Sequence, residues 1–206
     1  MGMRIRKKWD LPSEQVGALV ILSAAFLVGG AAGCLFASLS GGAGARELSD
    51  YLSAYLALAE GGELPRSLCP VLWGQLKFSL AALVLGLTGL GVVGLPALFG
   101  MRGFLFAFPA ACFFRIFGGR GFFPAFLLFG LSALLWAPAL FLMGVPGFLS
   151  ARRQLRLTLG ESRGESPFGG AYWSRAGLCV GLSIAAGLLE FWVVPVLLRA
   201  AARVVL

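Results

Sequence analysis

Glu190 is where a chemical argument about this sequence begins, because it is the only carboxylate set within a long apolar run. An ionisable group surrounded by hydrocarbon is costly, so it normally faces protein or water and marks a partner or a pathway. Two cations, Lys77 and Arg115, fall at similar depth in neighbouring runs. An ion pair between Glu190 and one of them would neutralise charge and tie two helices together. The competing chemistry is a proton or ion relay. One carboxylate without a second is thin for a relay, so the interhelical clasp is the better reading.

Other reactive residue types are sparse. Histidine is absent, which removes the commonest general base and the commonest transition-metal ligand. Cys34, Cys69, Cys112 and Cys179 are scattered without CxxC spacing, so a zinc site is not expected. Glu60 and Glu63 invite a glycosidase reading, which needs two carboxylates at a controlled separation. They lie in a polar stretch, residues 40–73, that has no fold of its own to hold them. Nothing resembles a Walker A loop. The sequence therefore predicts no catalytic, cofactor-binding or metal-ligating residues, and no enzymatic activity of the chain's own.

The elements that must position Glu190 follow from composition. Of 206 residues, 59% are hydrophobic and 13% charged, with 30 glycines besides. An ordinary soluble domain is about 45–50% apolar with glycine included and about 25% charged. A globule of this size has too little interior for so much apolar surface. A soluble enzyme, a disordered tail and a disulfide-stapled secreted domain are excluded, and the expected surroundings are membrane lipid. The net charge of +8, from 17 Lys and Arg against 9 Asp and Glu, fits basic loops facing anionic lipid better than nucleic-acid binding.

A span needs about 20 mostly apolar residues. Five candidates emerge, at residues 16–39, 73–99, 103–117, 122–149 and 175–198. The expected fold is an all-α membrane bundle of about five transmembrane helices, in one integral membrane domain. Residues 1–15 form a basic N-terminus, and the first run is too long for a signal-peptide core. Met101-Arg102-Gly103 and Gly118-Gly119-Arg120-Gly121 read as tight connections, making the third span unusually short. Residues 40–72 form an outer loop. In it Leu48, Tyr51, Leu52, Tyr55 and Leu56 recur at the spacing of one helical face, opposite Glu47, Asp50 and Ser53. That is a short amphipathic helix, suited to the bilayer surface, to the end of the bundle or to a partner groove. Residues 150–174 form a second basic loop.

With the N-terminus inside, the inner segments hold Arg4, Arg6, Lys7, Lys8, Arg102, Arg152, Arg153, Arg156, Arg163 and Arg175. The Lys/Arg bias thus predicts a cytoplasmic N-terminus and an outer C-terminus. Gly29 and Gly33, Ala82 and Gly86, and Gly177, Gly181 and Ala185 form small-residue stripes that let helices approach. Packing within the chain is the better reading, and the stripes leave a homo-oligomer open. Trp9, Trp73, Tyr172 and Trp173 fall near the span ends, as interfacial anchors do.

Taken in order, several motifs resemble the stage II sporulation protein M family of endospore-forming bacteria. They are the basic N-terminus, the span ending Phe26-Leu-Val-Gly-Gly-Ala-Ala-Gly33, the outer loop, Gly91-Val-Val-Gly-Leu-Pro96, the Arg102-Gly-Phe104 step, Pro138-Ala139, and Glu190 with Pro195. The resemblance covers roughly residues 4–200. It departs at Leu131-Ser132-Ala133, where the family often carries Pro, then His or Gln, and Asn; no polar role is carried to that segment. The resemblance implies a non-catalytic scaffold at the sporulation septum in the mother-cell membrane. By resemblance it works with a peptidoglycan lytic transglycosylase and an amidase/endopeptidase that thin the septal wall for engulfment. The Leu48–Leu56 face is the expected recruiting surface. The alternative is a small permease or transporter subunit using Glu190.

Overall fold

Backbone N–H and C=O groups find no partner in hydrocarbon, so apolar runs of this length satisfy them internally as helices. The computed structural model describes residues 13–39, 50, 67–121, 125–159 and 170–205. All regular structure among them is helical, with no strand. The helices are α1 (Ser13–Leu39), α2 (Leu68–Gly86), α3 (Gly91–Phe117), α4 (Leu131–Thr158) and α5 (Gly170–Val205). A 3-10 turn, Gly118–Gly121, closes α3, and a π-helical turn, Phe126–Gly130, leads directly into α4. All five helices are long and apolar enough to cross a membrane, so the chain is an all-α membrane bundle. The face Leu48, Tyr51, Leu52, Tyr55 and Leu56 lies outside the described residues, as do residues 1–12 and Trp9.

The helix limits correct the sequence reading at the second and third spans. The break falls at Leu87–Leu90, not at Met101–Gly103, so the third helix is 27 residues long rather than short. Arg102 sits within α3. The real link carries no charge and satisfies itself: the N–H of Leu87 donates to the Leu83 carbonyl, that of Thr88 to Leu85 and that of Gly91 to Thr88, at 3.1–3.2 Å. The Thr88 hydroxyl also donates to the Leu85 carbonyl. A Cβ on Gly91 would lie 2.2 Å from the Leu85 oxygen, so the chain doubles back on glycine. A hydrocarbon-compatible turn of this kind leaves no polar mark, whereas a lone arginine imitates a loop.

Helix packing is decided largely by where side chains are missing. α1 runs along α3, with Gly29 against Gly100, Gly33 against the Phe104 carbonyl and Gly103 against the Phe26 carbonyl. The Gly29–Gly33 stripe is thus used inside the chain. So is Ala82–Gly86, where Gly86 meets Gly147 of α4 beneath the Tyr172 hydroxyl. A Cβ on Gly177 or Gly181 would meet nothing within 4 Å, and Ala185 is exposed, so the third stripe faces outward. Tyr172 corrects another expectation. It is buried, and its hydroxyl points to the Leu83 carbonyl at 3.4 Å instead of anchoring at an interface.

Leu22, Leu95, Phe99 and Met143 are buried where α1, α3 and α4 meet. Phe99 packs edge-on to Phe141, with ring centroids 4.9 Å apart. The outer faces stay apolar: Leu27 and Val28 are each 69% exposed, as lipid contact requires. Between α2 and α5 the Ser79 and Ser183 hydroxyls lie 2.5 Å apart. Ser183 donates to the Cys179 carbonyl at 2.9 Å, so Ser79 must be the donor between the two serines.

Candidate functional site

Four helices deliver polar groups to one point among these apolar faces. α2 brings Gln75, with Phe78 one turn along the same face, and α4 brings Ser132, with Trp136 one turn further. α3 brings Arg102, and α5 brings Glu190. Ser132 is the second residue after the π-helical turn. Such a turn inserts a residue and re-phases the helix beyond it, and this one lies where Ser132 and Trp136 face inward.

Gln75 joins the two charges. Its Oε1 accepts from Arg102 Nη2 at 2.5 Å, and its Nε2 donates to Glu190 Oε2 at 2.6 Å. The amide orientation follows from chemistry: guanidinium can only donate and ionised carboxylate only accept. Longer contacts add Ser132, whose hydroxyl accepts from Gln75 Nε2 at 3.3 Å and donates to Glu190 Oε2 at 3.4 Å. Arg102 and Glu190 are thus held on opposite ends of one amide. The guanidinium lies between two rings, 4.4 Å from the Phe78 centroid and 4.1 Å from that of Trp136. Its charge is therefore met by two π-faces, a carbonyl and a nearby carboxylate.

The centre borders a cavity of about 180 Å³ lined by Gln75, Arg102, Ser132 and Glu190, with Phe106 and Trp136 among its walls. A second space of about 390 Å³ shares Gln75, Arg102 and Glu190 and extends past Lys77 and Gly74 to Pro70 near the start of α2. At roughly 30 Å³ per water, the first space accommodates several waters, and its polar walls offer the partners they need.

Glu190 does bind other helices, but the clasp is not the one expected. Its cationic counterpart is Arg102. Lys77 lines only the adjoining space, with Nζ 5.2 Å from the Phe78 ring centroid. Arg115 donates to the Ala37 and Ser38 carbonyls at 2.5 and 3.0 Å, binding α3 to the C-terminal end of α1, where a cation complements the helix dipole. Arg102 is not legible as a site residue, because a lone charge between two apolar runs reads as a loop. Gln75 was hidden because a neutral amide attracts no notice in an apolar run. Against expectation the Leu131–Ala133 segment has a polar role, through the contacts of Ser132 with Gln75 and Glu190. Only the true start of α2 at Leu68 puts Gln75 two turns inside the helix; with the span beginning at residue 73 it reads as part of the polar entrance.

No family model, curated protein or solved structure matches this chain.

Proposed function

We propose that this chain is a non-catalytic membrane scaffold, with its N-terminus cytoplasmic and its C-terminus outside. On this reading five helices hold the residue 40–72 segment on the outer face. There it recruits peptidoglycan hydrolases, as the resemblance to the sporulation protein implies: a lytic transglycosylase and an amidase/endopeptidase at the septum. The observation carrying the reading is the state of Glu190. The carboxylate is committed to the Gln75 amide and the Ser132 hydroxyl, neither of which exchanges a proton in the accessible range, and the same amide ties it to Arg102. That arrangement favours a fastening between helices over a proton relay. The orientation rests on the Lys/Arg bias, from which Arg102 now drops out because it lies within α3.

The test is site-specific crosslinking from positions 47–60 in native membranes, with mass-spectrometric identification of what is captured. Cell-wall hydrolases should be recovered, and Tyr51→Ser with Leu52→Ser should abolish their capture. If neither hydrolase is recovered, or capture survives both substitutions, the recruiting surface is misassigned. A second reading, a small permease subunit, is favoured by the two spaces that meet at Arg102 and Glu190. It requires Glu190→Gln to stop solute or proton movement in protein that remains folded, and crosslinking to reach an ATP-hydrolysing subunit on the inner face.

A further inference from the structure

A separate polar recess lies at the bundle end where α1 begins, α4 nears its end and α5 begins. Gln15, Ser150, Arg153 and Arg175 line it, together with Val145, Pro146 and Leu149, around about 160 Å³. Ser150 is only 6% exposed. Arg153 and Arg175 are exposed, and neither has an ion-pair partner among the described residues. Arg152 is the next residue on α4 and Glu14 the neighbour of Gln15 on α1, but neither lines the recess.

Its depth is read from where the apolar runs stop. The apolar runs read from the sequence start at residue 16, end at residue 149 and start again at residue 175. The polar lining therefore sits where three spans meet water, and Val145, Pro146 and Leu149 lie just inside the hydrocarbon. Two guanidiniums, a hydroxyl and an amide in a recess above an apolar wall suit an anion whose other end is apolar. Guanidinium is the group best matched to phosphate oxygens. Basic pockets between helices at the membrane surface take anionic lipid headgroups.

We propose that this recess binds the phosphate of an anionic phospholipid from the surrounding bilayer, with Arg153 and Arg175 on the phosphate oxygens and Ser150 and Gln15 completing the donor set. The site is independent of the scaffold reading, since it uses neither the outer loop nor Glu190.

The test uses the full chain, purified in detergent and delipidated. Phosphatidylglycerol, phosphatidylcholine and inorganic phosphate are each added, with thermal stability and native mass spectrometry as readouts. Phosphatidylglycerol should bind and raise the melting temperature, phosphatidylcholine should do neither, and millimolar phosphate should not displace the lipid. Arg153→Gln with Arg175→Gln should weaken phosphatidylglycerol binding roughly tenfold or more, from the loss of two near-surface cations, while Arg152→Gln should change it little. If the double variant fails to fold, the wild-type comparison between the two lipids still decides. Equal response to both lipids, or unchanged affinity in a folded double variant, would overturn the proposal. Displacement by inorganic phosphate would overturn it in favour of a soluble anion.

Discussion

Replacing Arg102 and Glu190 singly and together measures whether the half-buried polar centre behaves as a unit. Arg102→Met keeps most of the side-chain length but removes the charge, the 2.5 Å bond to Gln75 and the contacts with Phe78 and Trp136. A hydrogen bond from a charged group contributes about 1.5–3 kcal/mol net, and each desolvated cation–π contact up to about 2 kcal/mol. Breaking a buried pair by removing one member costs about 3–5 kcal/mol, because the remaining charge is uncompensated. Hydrogen bonds measured inside membrane bundles are weaker, averaging about 0.6 kcal/mol, because the unfolded chain in lipid also finds partners. Weighing these, Arg102→Met should cost about 3 kcal/mol. Glu190→Gln, which still accepts from Gln75 but leaves Arg102 uncompensated, should cost about 2 kcal/mol. The double variant leaves neither charge stranded, so it should cost about 3 kcal/mol in place of the additive 5, a coupling of about 2 kcal/mol. Arg102→Lys should still lose about 1–2 kcal/mol, since ammonium is neither planar nor able to stack between two rings. Reversible unfolding in mixed detergent–SDS micelles gives all four values. Penalties that add to within about 0.5 kcal/mol would mean that the two charges do not sense each other through Gln75, and the clasp would be refuted.

Two further outcomes follow from the packing. Gly29→Ala puts a methyl 1.9 Å from the Gly100 carbonyl oxygen, so α1 and α3 must separate, whereas Gly177→Ala meets nothing within 4 Å. In the same micelle assay the first should lose about 1–3 kcal/mol and the second should stay within about 0.5 kcal/mol of wild type; equal effects would argue against the α1–α3 contact. Cys69, exposed in the first turn of α2, lies at the outer end of that helix if the N-terminus is cytoplasmic; Cys112 and Cys179 are buried, and Cys34, also exposed, is replaced by Ser so that Cys69 alone reports. A membrane-impermeant maleimide should therefore label Cys69 in intact cells; labelling only after permeabilisation would reverse the topology.

Hydrophobicity and length alone determined that the chain makes five spans, though not where the second ends and the third begins, because a chain 59% hydrophobic in lipid has no way to satisfy its backbone except within each run. The glycine pair Gly29–Gly33 was readable for the same kind of reason: an absent side chain permits close approach, wherever the partner lies. What the sequence did not reveal was the partner of each group. Arg102 looked like a loop because an isolated charge in hydrocarbon is prohibitive, and the amide of Gln75, the rings of Phe78 and Trp136 and the carboxylate of Glu190 that relieve the cost come from three other helices. The turn at Leu87–Leu90 was equally silent, since its hydrogen bonds are made by the backbone and by Thr88. Whether a polar group is stranded or compensated depends on neighbours distant in sequence, and only the packing of α2, α3, α4 and α5 assembled those neighbours.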